Sequence, residues 1–238
     1  PPPPARRAAP GSPDPAPPVI ACLVTHLMGA GHLVRTLALA RAVVAAGGRA
    51  RVISGGRPLP QLDAAGVDLV QLPWLASDGL NYRRLLGPDG RAADDALHAA
   101  RRAAILAALD GADALVTELW PFGRRALSAE FEAAAAAMAG RPVWASIRDV
   151  LEPPSKPARV EATLARLDGF RGVLVHGDPA ILPLAESWPA ADRVPGLAYT
   201  GYVAAPPPPP AGPPEVLVAT GGGVIGRRLL ETAARAAA

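Results

Sequence analysis

The sequence predicts an α/β fold in which a doubly wound parallel sheet carries helices on both faces. Short apolar runs alternate with longer helical patterns along most of the 238 residues. Half of the residues are hydrophobic, which is ample for a large core. Polar residues follow the apolar runs directly, as is typical of the carboxyl ends of parallel strands, where α/β folds place binding groups.

The elements follow from local patterns, beginning with an apolar run at 19–25 that predicts the first strand. A helix is predicted next, at about 32–46. Later strands are predicted at 50–54, 67–71, 114–117, 143–147, 172–176 and 215–219. Later helices are predicted at about 59–65, 92–109, 124–139, 158–167, 178–186 and 224–238. The polar stretch at 73–91 is long for a connector, and such loops usually bind ligands or are disordered.

Two proline-rich segments set the predicted domain boundaries. Residues 1–18 lack the apolar run of a secretory signal and are predicted to be a disordered leader. Residues 204–214 predict a semi-rigid linker. Between them lies a domain of residues 19–203, and the pattern of strand, glycine turn and helix restarts at 215–238. Because one βα unit cannot bury its own faces, we expect 215–238 to be the truncated start of a second domain.

Composition limits the class of function. The net charge is +3, but no block of like charge marks a nucleic-acid surface. The single cysteine, Cys22, excludes an internal disulfide, and no apolar window reaches roughly 18 uninterrupted residues. The four histidines show no metal-ligand spacing, and a P-loop and a GxSxG elbow are both absent. We expect a cytoplasmic protein with no metal and no nucleic-acid partner.

The most informative segment is the turn into the first predicted helix, Gly29-Ala30-Gly31-His32-Leu33-Val34-Arg35. Small residues there let backbone N–H groups and the positive helix end face a ligand, as in phosphate-binding turns. His32 and Arg35 share one helix face, at the end where the macrodipole disfavours cations by ~0.3–1 kcal/mol. This unfavourable position indicates a function. A histidine there stays neutral near pH 7, which is the state that a general base requires.

Polar groups also end five of the predicted strands. Their residues are Thr25-His26, Ser54-Gly55-Gly56, Thr117-Glu118, Ser146-Ile147-Arg148-Asp149 and His176-Gly177-Asp178. All of them are expected to reach the surface along one edge of the sheet. Glu118 directly follows an apolar run and is expected to be functional, as are His176 and Asp178. His26 is the second choice for a reactive imidazole, and His98 is expected on a helix surface.

Two glycine turns are similar to the dinucleotide-binding fingerprint, and both depart from it. The first lacks the third glycine, and no acidic residue lies at 41–61 to bind a ribose hydroxyl. The second, at 221–226, matches GxGxxG after a predicted strand. The acidic residue expected ~20 positions later would fall at or beyond position 238. Neither turn is therefore a strong cofactor signal, and no cofactor is expected.

The chain resembles the GT-B glycosyltransferases, in particular the group around the N-acetylglucosaminyltransferase of peptidoglycan synthesis. The matching segments are MGAGHLVRTLALARAV, VISGGRP, LVQLPWL, LVTELWPFGRR, SIRDVLEPP, VLVHGDP, YTGYV and LVATGGG. They run from about residue 19 to residue 223. The closest likeness is to bacterial proteins described as predicted glycosyltransferases of this type. The set is fairly specific, whereas GxGHxxR alone is shared with other nucleotide-sugar enzymes.

The resemblance implies two Rossmann-like domains that face each other across a cleft. The N-terminal domain would bind the acceptor, and the C-terminal domain would hold most of the nucleotide-sugar donor. Gly221, Gly222 and Gly223 match the turn that approaches the donor diphosphate. The implied reaction moves a hexosyl or N-acetylhexosaminyl group from a nucleoside-diphosphate sugar to an acceptor hydroxyl without a metal. Peripheral contact with a membrane is expected if the acceptor is lipid-linked.

Roles for the remaining candidates follow from the same resemblance. His32 would be the general base, and Arg35 would orient it or add positive charge for the diphosphate. Glu118 and Asp178 would contact the acceptor or position His32. The substrate-binding set is completed by Gly29, Gly31 and His176. Two alternatives stay open, namely a nucleotide-sugar hydrolase on the same scaffold and a truncated, non-catalytic binding domain.

Overall fold

The computed structural model describes residues 16–77, 79, 84–204, 212, 216–220 and 226–237. Within them the chain forms nine β-strands and five α-helices. In chain order these are β1 (Val19–Val24), α1 (Gly31–Ala45), β2 (Arg49–Ser54), β3 (Asp68–Gln71), β4 (Ala76–Ser77), β5 (Leu85–Leu86), α2 (Asp95–Ala108), β6 (Ala114–Glu118), α3 (Ser128–Ala137), β7 (Val143–Arg148), α4 (Pro157–Leu167), β8 (Gly172–His176), β9 (Leu197–Tyr199) and α5 (Arg227–Ala236).

Seven of the strands form one parallel sheet in the order β3-β2-β1-β6-β7-β8-β9. Strands β4 and β5 form a separate antiparallel pair within the long polar connector. The chain winds outward in one direction from β1 and in the other from β6. A doubly wound sheet opens a crevice at this point, outside the carboxyl ends of its strands. The α/β fold predicted from the sequence is confirmed.

The sheet is buried on both faces because successive side chains in a strand point in opposite directions. Leu23 of β1 packs in one cluster with Phe131 of α3. Its neighbour Cys22 packs on the other face with Leu37 of α1. A third cluster includes Leu167 of α4 and covers β7 and β8. Within the sheet, parallel pairing of β1 with β6 holds the ends of these two strands side by side.

Two of the predicted helices are wrong. At 178–186 only a 3-10 turn forms, at Leu184–Glu186, because Pro179 and Pro183 supply no backbone N–H for a longer helix. At 59–65 the chain forms turns instead. The Asp63 carboxylate there accepts from the Ala65 N–H at 2.8 Å, a local bond that competes with helix formation.

The edge of the sheet and the C-terminal segment also differ from prediction. The three-residue strand β9 was not predicted, since so short a run carries no clear alternation. Described residues 216–219 pair with no strand, and Val216 and Leu217 are 92% and 90% exposed. Most of the predicted leader and linker, together with Gly221–Gly223, lies outside the described residues. In the described part of the chain, none of the helices combines the length and the apolar character needed to cross a bilayer.

Candidate active site

The turn between β1 and α1 leaves the start of the helix open. Helix α1 begins at Gly31, its N-cap residue Ala30 makes no side-chain hydrogen bond, and its first turn holds no acidic residue. A Cβ placed on Gly31 would touch nothing within 4 Å. Gly29 lies half-buried in the same turn. The first N–H groups of a helix have no intrahelical acceptors, so this turn can present them to an anionic ligand.

Glu118 joins the two cationic side chains of this turn. It ends β6, the strand next to β1, and is 3% exposed. Its Oε1 lies 2.9 Å from His32 Nδ1. The Arg35 guanidinium donates to the same oxygen. One buried carboxylate therefore holds a histidine and an arginine that lie one turn apart on α1.

Electrostatics fixes the protonation of this pair. Burial raises the pKa of the Glu118 carboxyl, but the hydrogen bond from His32 and the charge of Arg35 outweigh it, and the pKa lies below its ordinary value. Burial lowers the pKa of His32, and Arg124 and Arg35 act in the same direction. An ionised carboxylate only accepts, so the neutral His32 ring carries its proton on Nδ1. Its Nε2 lone pair is then free, since no described residue bonds to it.

The other oxygen of Glu118 begins a chain of hydrogen bonds along the strand ends. Ser146 of β7 donates to Glu118 Oε2 at 2.8 Å. Ser146 Oγ also lies 2.8 Å from His176 Nε2. His176 Nδ1 lies 2.7 Å from the hydroxyl of Thr200, which follows β9. Burial, followed by the charge of Arg35, lowers the pKa of His176 to about 4.

The structure brings some of the predicted site residues together and separates others. His32, Arg35 and Glu118 are in direct contact, and His176 joins them through Ser146. The Asp178 carboxylate instead accepts from the Ala180 N–H at 2.8 Å. The polar groups lie at one edge of the sheet, but the expectation that all of them reach the surface is wrong. Seven are buried: Thr25, His26, Ser54, Thr117, Glu118, Ser146 and His176.

His26, the second choice for the reactive imidazole, is enclosed by its own neighbours. It is 3% exposed, and its Nε2 lies 3.0 Å from the Arg57 carbonyl. Its Nδ1 has no partner among the described residues. A Cβ placed on Gly56 would lie 2.4 Å from that atom, so the ring packs directly against Gly56, which has no side chain. Burial lowers the pKa of His26 as well.

Two residues that take part in this series of hydrogen bonds, Ser146 and Thr200, were not predicted as site residues. The sequence indicates Ser146 only as part of a polar strand end. Thr200 follows the strand that was not predicted. The signal that identifies Ser146 is the strand register, which places it directly opposite Glu118. Among the described residues, no three His, Cys, Asp or Glu side chains are grouped as a metal site would require.

Comparisons with known proteins identify the fold. No family model and no curated protein matches this sequence. The structure of apo UGT2 from Phytolacca americana is 14% identical with a TM-score of 0.50, over 79% of this chain and 53% of that one. MurG from Acinetobacter baumannii is 12% identical (TM-score 0.42, over 68% and 42%). The glycosyltransferase SsfS6 from Streptomyces sp. SF2575 is 15% identical (TM-score 0.45, over 70% and 52%).

The likeness to apo UGT2 shows a shared fold, and the chain spans about half the length of that structure. The described residues therefore form one Rossmann-like half of the GT-B architecture. Several of the solved structures that match this chain are glycosyltransferases.

Proposed function

We propose that this chain provides the acceptor-side half of a glycosyltransferase. The enzyme would move a hexosyl or N-acetylhexosaminyl group from a nucleoside-diphosphate sugar to an acceptor hydroxyl. The observation that carries the proposal is the contact of 2.9 Å between His32 Nδ1 and Glu118 Oε1. It lies at the crevice of the doubly wound sheet, where this class of fold binds its ligands.

The proposed chemistry follows from the tautomer that this contact selects. His32 Nε2 takes the acceptor proton as the acceptor oxygen bonds to the anomeric carbon and the bond to the diphosphate breaks. Glu118 holds the ring in place and stabilises the imidazolium that forms. The His32 side chain is 24% exposed, so a hydroxyl can reach it from the crevice. General-base catalysis of this kind contributes about 10²–10⁴-fold in rate.

The leaving diphosphate needs positive groups that do not move during the reaction. The open start of α1, with Gly29 and Gly31 in its turn, offers backbone N–H groups toward the crevice. Arg35 lies one turn further along α1 and is proposed to hold Glu118 in place for His32. A catalytic centre of this composition has no step that requires a metal, in line with the resemblance to GT-B enzymes. Asp178, half-buried at the same edge, is proposed to contact the acceptor.

The domain division is part of the proposal. Residues 19–203 would be the acceptor-side domain, preceded by a leader at 1–18. After a linker at 204–214, residues 215–238 would begin the donor-side domain. Gly221–Gly223 would approach the diphosphate there, as the resemblance implies.

A transfer assay tests this function. We expect a protein that carries both halves of the fold to glycosylate a hydroxyl acceptor from UDP- or dTDP-sugars, with the product followed by mass spectrometry. The matched control omits the acceptor. Release of free sugar at the same rate with and without every acceptor tried would contradict a transferase and indicate a hydrolase. Absence of turnover with all donors would leave only a binding function.

A further inference from the structure

A row of polar groups, three of them buried, extends well beyond the proposed base. Glu118, Ser146, His176 and Thr200 end or follow four consecutive strands of the sheet, β6 to β9. Glu118 and Ser146 are register partners, so their side chains leave the same face of the sheet. The three contacts along the row measure 2.8, 2.8 and 2.7 Å. Ser146 is 1% and His176 4% exposed, so solvent cannot replace the bonds that join Glu118, Ser146 and His176. Thr200, at the end of the row, is exposed.

The direction of each hydrogen bond follows from its chemistry. Glu118 is ionised and only accepts, so the single proton of the Ser146 hydroxyl points to Glu118 Oε2. The Ser146 oxygen must then accept, and His176 Nε2–H is the donor. His176 is neutral at pH 7, which leaves its Nδ1 to accept from the Thr200 hydroxyl. The donors of Ser146 and His176 therefore both point toward Glu118.

We propose that Ser146 and His176 are positioning residues for the pair His32 and Glu118, a role that rests on the proposed function. Glu118 is held at Oε1 by α1 and at Oε2 by Ser146. With the second bond absent, the carboxylate can rotate, and His32 Nδ1–H loses its fixed acceptor. His176 keeps the Ser146 hydroxyl turned toward Glu118. Because it is buried, His176 acts on the reaction through this row rather than by touching substrate.

Three substitutions separate this role from a general packing role. Ser146→Ala removes the donor to Glu118. His176→Leu keeps similar bulk but removes the N–H that orients Ser146. His176→Gln is the conservative variant, and it should keep the bond to Ser146 because the glutamine amide N–H can donate from the position of Nε2. Ser187→Ala is the matched control, since that buried hydroxyl also accepts one backbone N–H and donates to one carbonyl, 3.0 Å each, away from the row.

The first measurement does not depend on activity. ¹⁵N chemical shifts of labelled histidine at pH 8 report the tautomer of His32 in the 238-residue chain. The Nδ1–H form should dominate in the unsubstituted chain, in Ser187→Ala and in His176→Gln. In Ser146→Ala and His176→Leu, the Nε2–H form should rise to a comparable population. The other charged groups near His32 are Arg35, Arg124 and His26, and none of them is changed in these variants.

The second measurement is kinetic and uses a protein with both halves of the fold. Ser146→Ala and His176→Leu should lower kcat about 10- to 100-fold with the donor KM little changed, as expected for a misplaced catalytic group. His176→Gln should recover most of that loss. An unchanged His32 tautomer in both disruptive variants would overturn the proposal. If the tautomer shifts while no variant, including the unsubstituted enzyme, transfers sugar, the positioning role stands and the proposed function fails.

Discussion

Two clusters in this molecule are built from the same three residue types. In the first, His32 and Arg35 of α1 meet Glu118. In the second, His98 and Arg101 of α2 meet Glu130 of α3. The spacing along the helix is the same, and the two histidine side chains are 24% and 25% exposed. Residue type, spacing and the exposure of the histidine therefore do not distinguish the clusters.

The clusters differ in how completely their hydrogen bonds are used. Arg101 is fully buried and donates to both oxygens of Glu130 at 2.8 Å. It also donates to the Gly55 carbonyl at 3.0 Å and to the Pro73 carbonyl. Arg35 donates to Glu118, and its Nε finds no partner among the described residues. The fold therefore uses the whole Arg101 guanidinium, whereas that of Arg35 keeps an N–H without a partner among the described residues.

Position explains this difference. Arg101 ties α2 to the segments that follow β2 and β3, the two strands on the far side of β1 from β6. The first cluster lies at the crevice, with the free His32 nitrogen beside the open start of α1. A buried His-Arg-Glu cluster is structural where the fold uses every donor of its arginine, as at Arg101. It can act on a ligand where its histidine lies beside the open start of a helix, as His32 does.

The largest expected effect on stability comes from Arg101. Arg101→Met leaves Glu130 buried without its cation, which should lower the free energy of unfolding by about 3–5 kcal/mol. Arg35→Met should cost less, about 1–3 kcal/mol, because Glu118 keeps its bonds from His32 and Ser146. Urea unfolding of the two variants measures both values. Equal losses would remove the distinction between a structural and a functional cluster.

The dependence of stability on pH tests whether the fold keeps His176 neutral. The pKa of His176 is about 4 in the folded chain, against an ordinary value of 6.5. As the pH falls below 6.5 the unfolded chain binds a proton that the folded chain does not bind until about pH 4. The free energy of unfolding should therefore decrease between pH 6.5 and 4, by at most about 3 kcal/mol from this group.

His176→Gln is the matched variant for that titration, because it keeps the N–H donor and cannot take up the proton. The decrease between pH 6.5 and 4 should be smaller in the variant than in the unsubstituted chain. The remaining slope comes from His26 and His32, whose pKa values are also lowered, and from carboxylates. Parallel curves for the two proteins would show that His176 is not held neutral by the fold.

The smallest expected effect is that of Arg35→Ala on kcat, and it tests what Arg35 does in the site. Its side chain is 16% exposed and its guanidinium donates to Glu118, so Arg35→Ala should act mainly on the placement of that carboxylate. We expect kcat to fall about 10-fold, the value of one charge-assisted hydrogen bond. Steady-state kinetics at varied donor concentration distinguishes placement of Glu118 from direct binding of the diphosphate. A rise in donor KM with kcat unchanged would place Arg35 on the diphosphate instead.

The first half of the sheet could be predicted because its elements are long and strongly patterned. The run at 19–25 and the helix after it match β1 and α1 within one residue at each end. His32, Arg35 and Glu118 could be singled out because each is a charged or titratable side chain at the end of an apolar element. That step needs only the rule that parallel strands end at one edge.

The remaining contacts depend on which strands and helices become neighbours in the fold. Ser146 acquires its partners only when β7 lies between β6 and β8 in the observed register. Thr200 depends on β9, whose three residues carry too little pattern to predict. His98 was expected on a helix surface, and its contact with Glu130 arises from the packing of α2 on α3. Such contacts are tertiary, so no local pattern indicates them.

The most direct test compares the two histidines of the two clusters in a protein with both halves of the fold. His32→Ala should lower kcat about 10²–10⁴-fold with little change in donor KM, because the imidazole is needed when the proton leaves. His98→Ala removes an equally exposed ring from an equivalent cluster and should stay within a few-fold of the unsubstituted enzyme. If His98→Ala or His26→Ala abolishes turnover while His32→Ala retains it, the assignment of the base to the crevice cluster is contradicted.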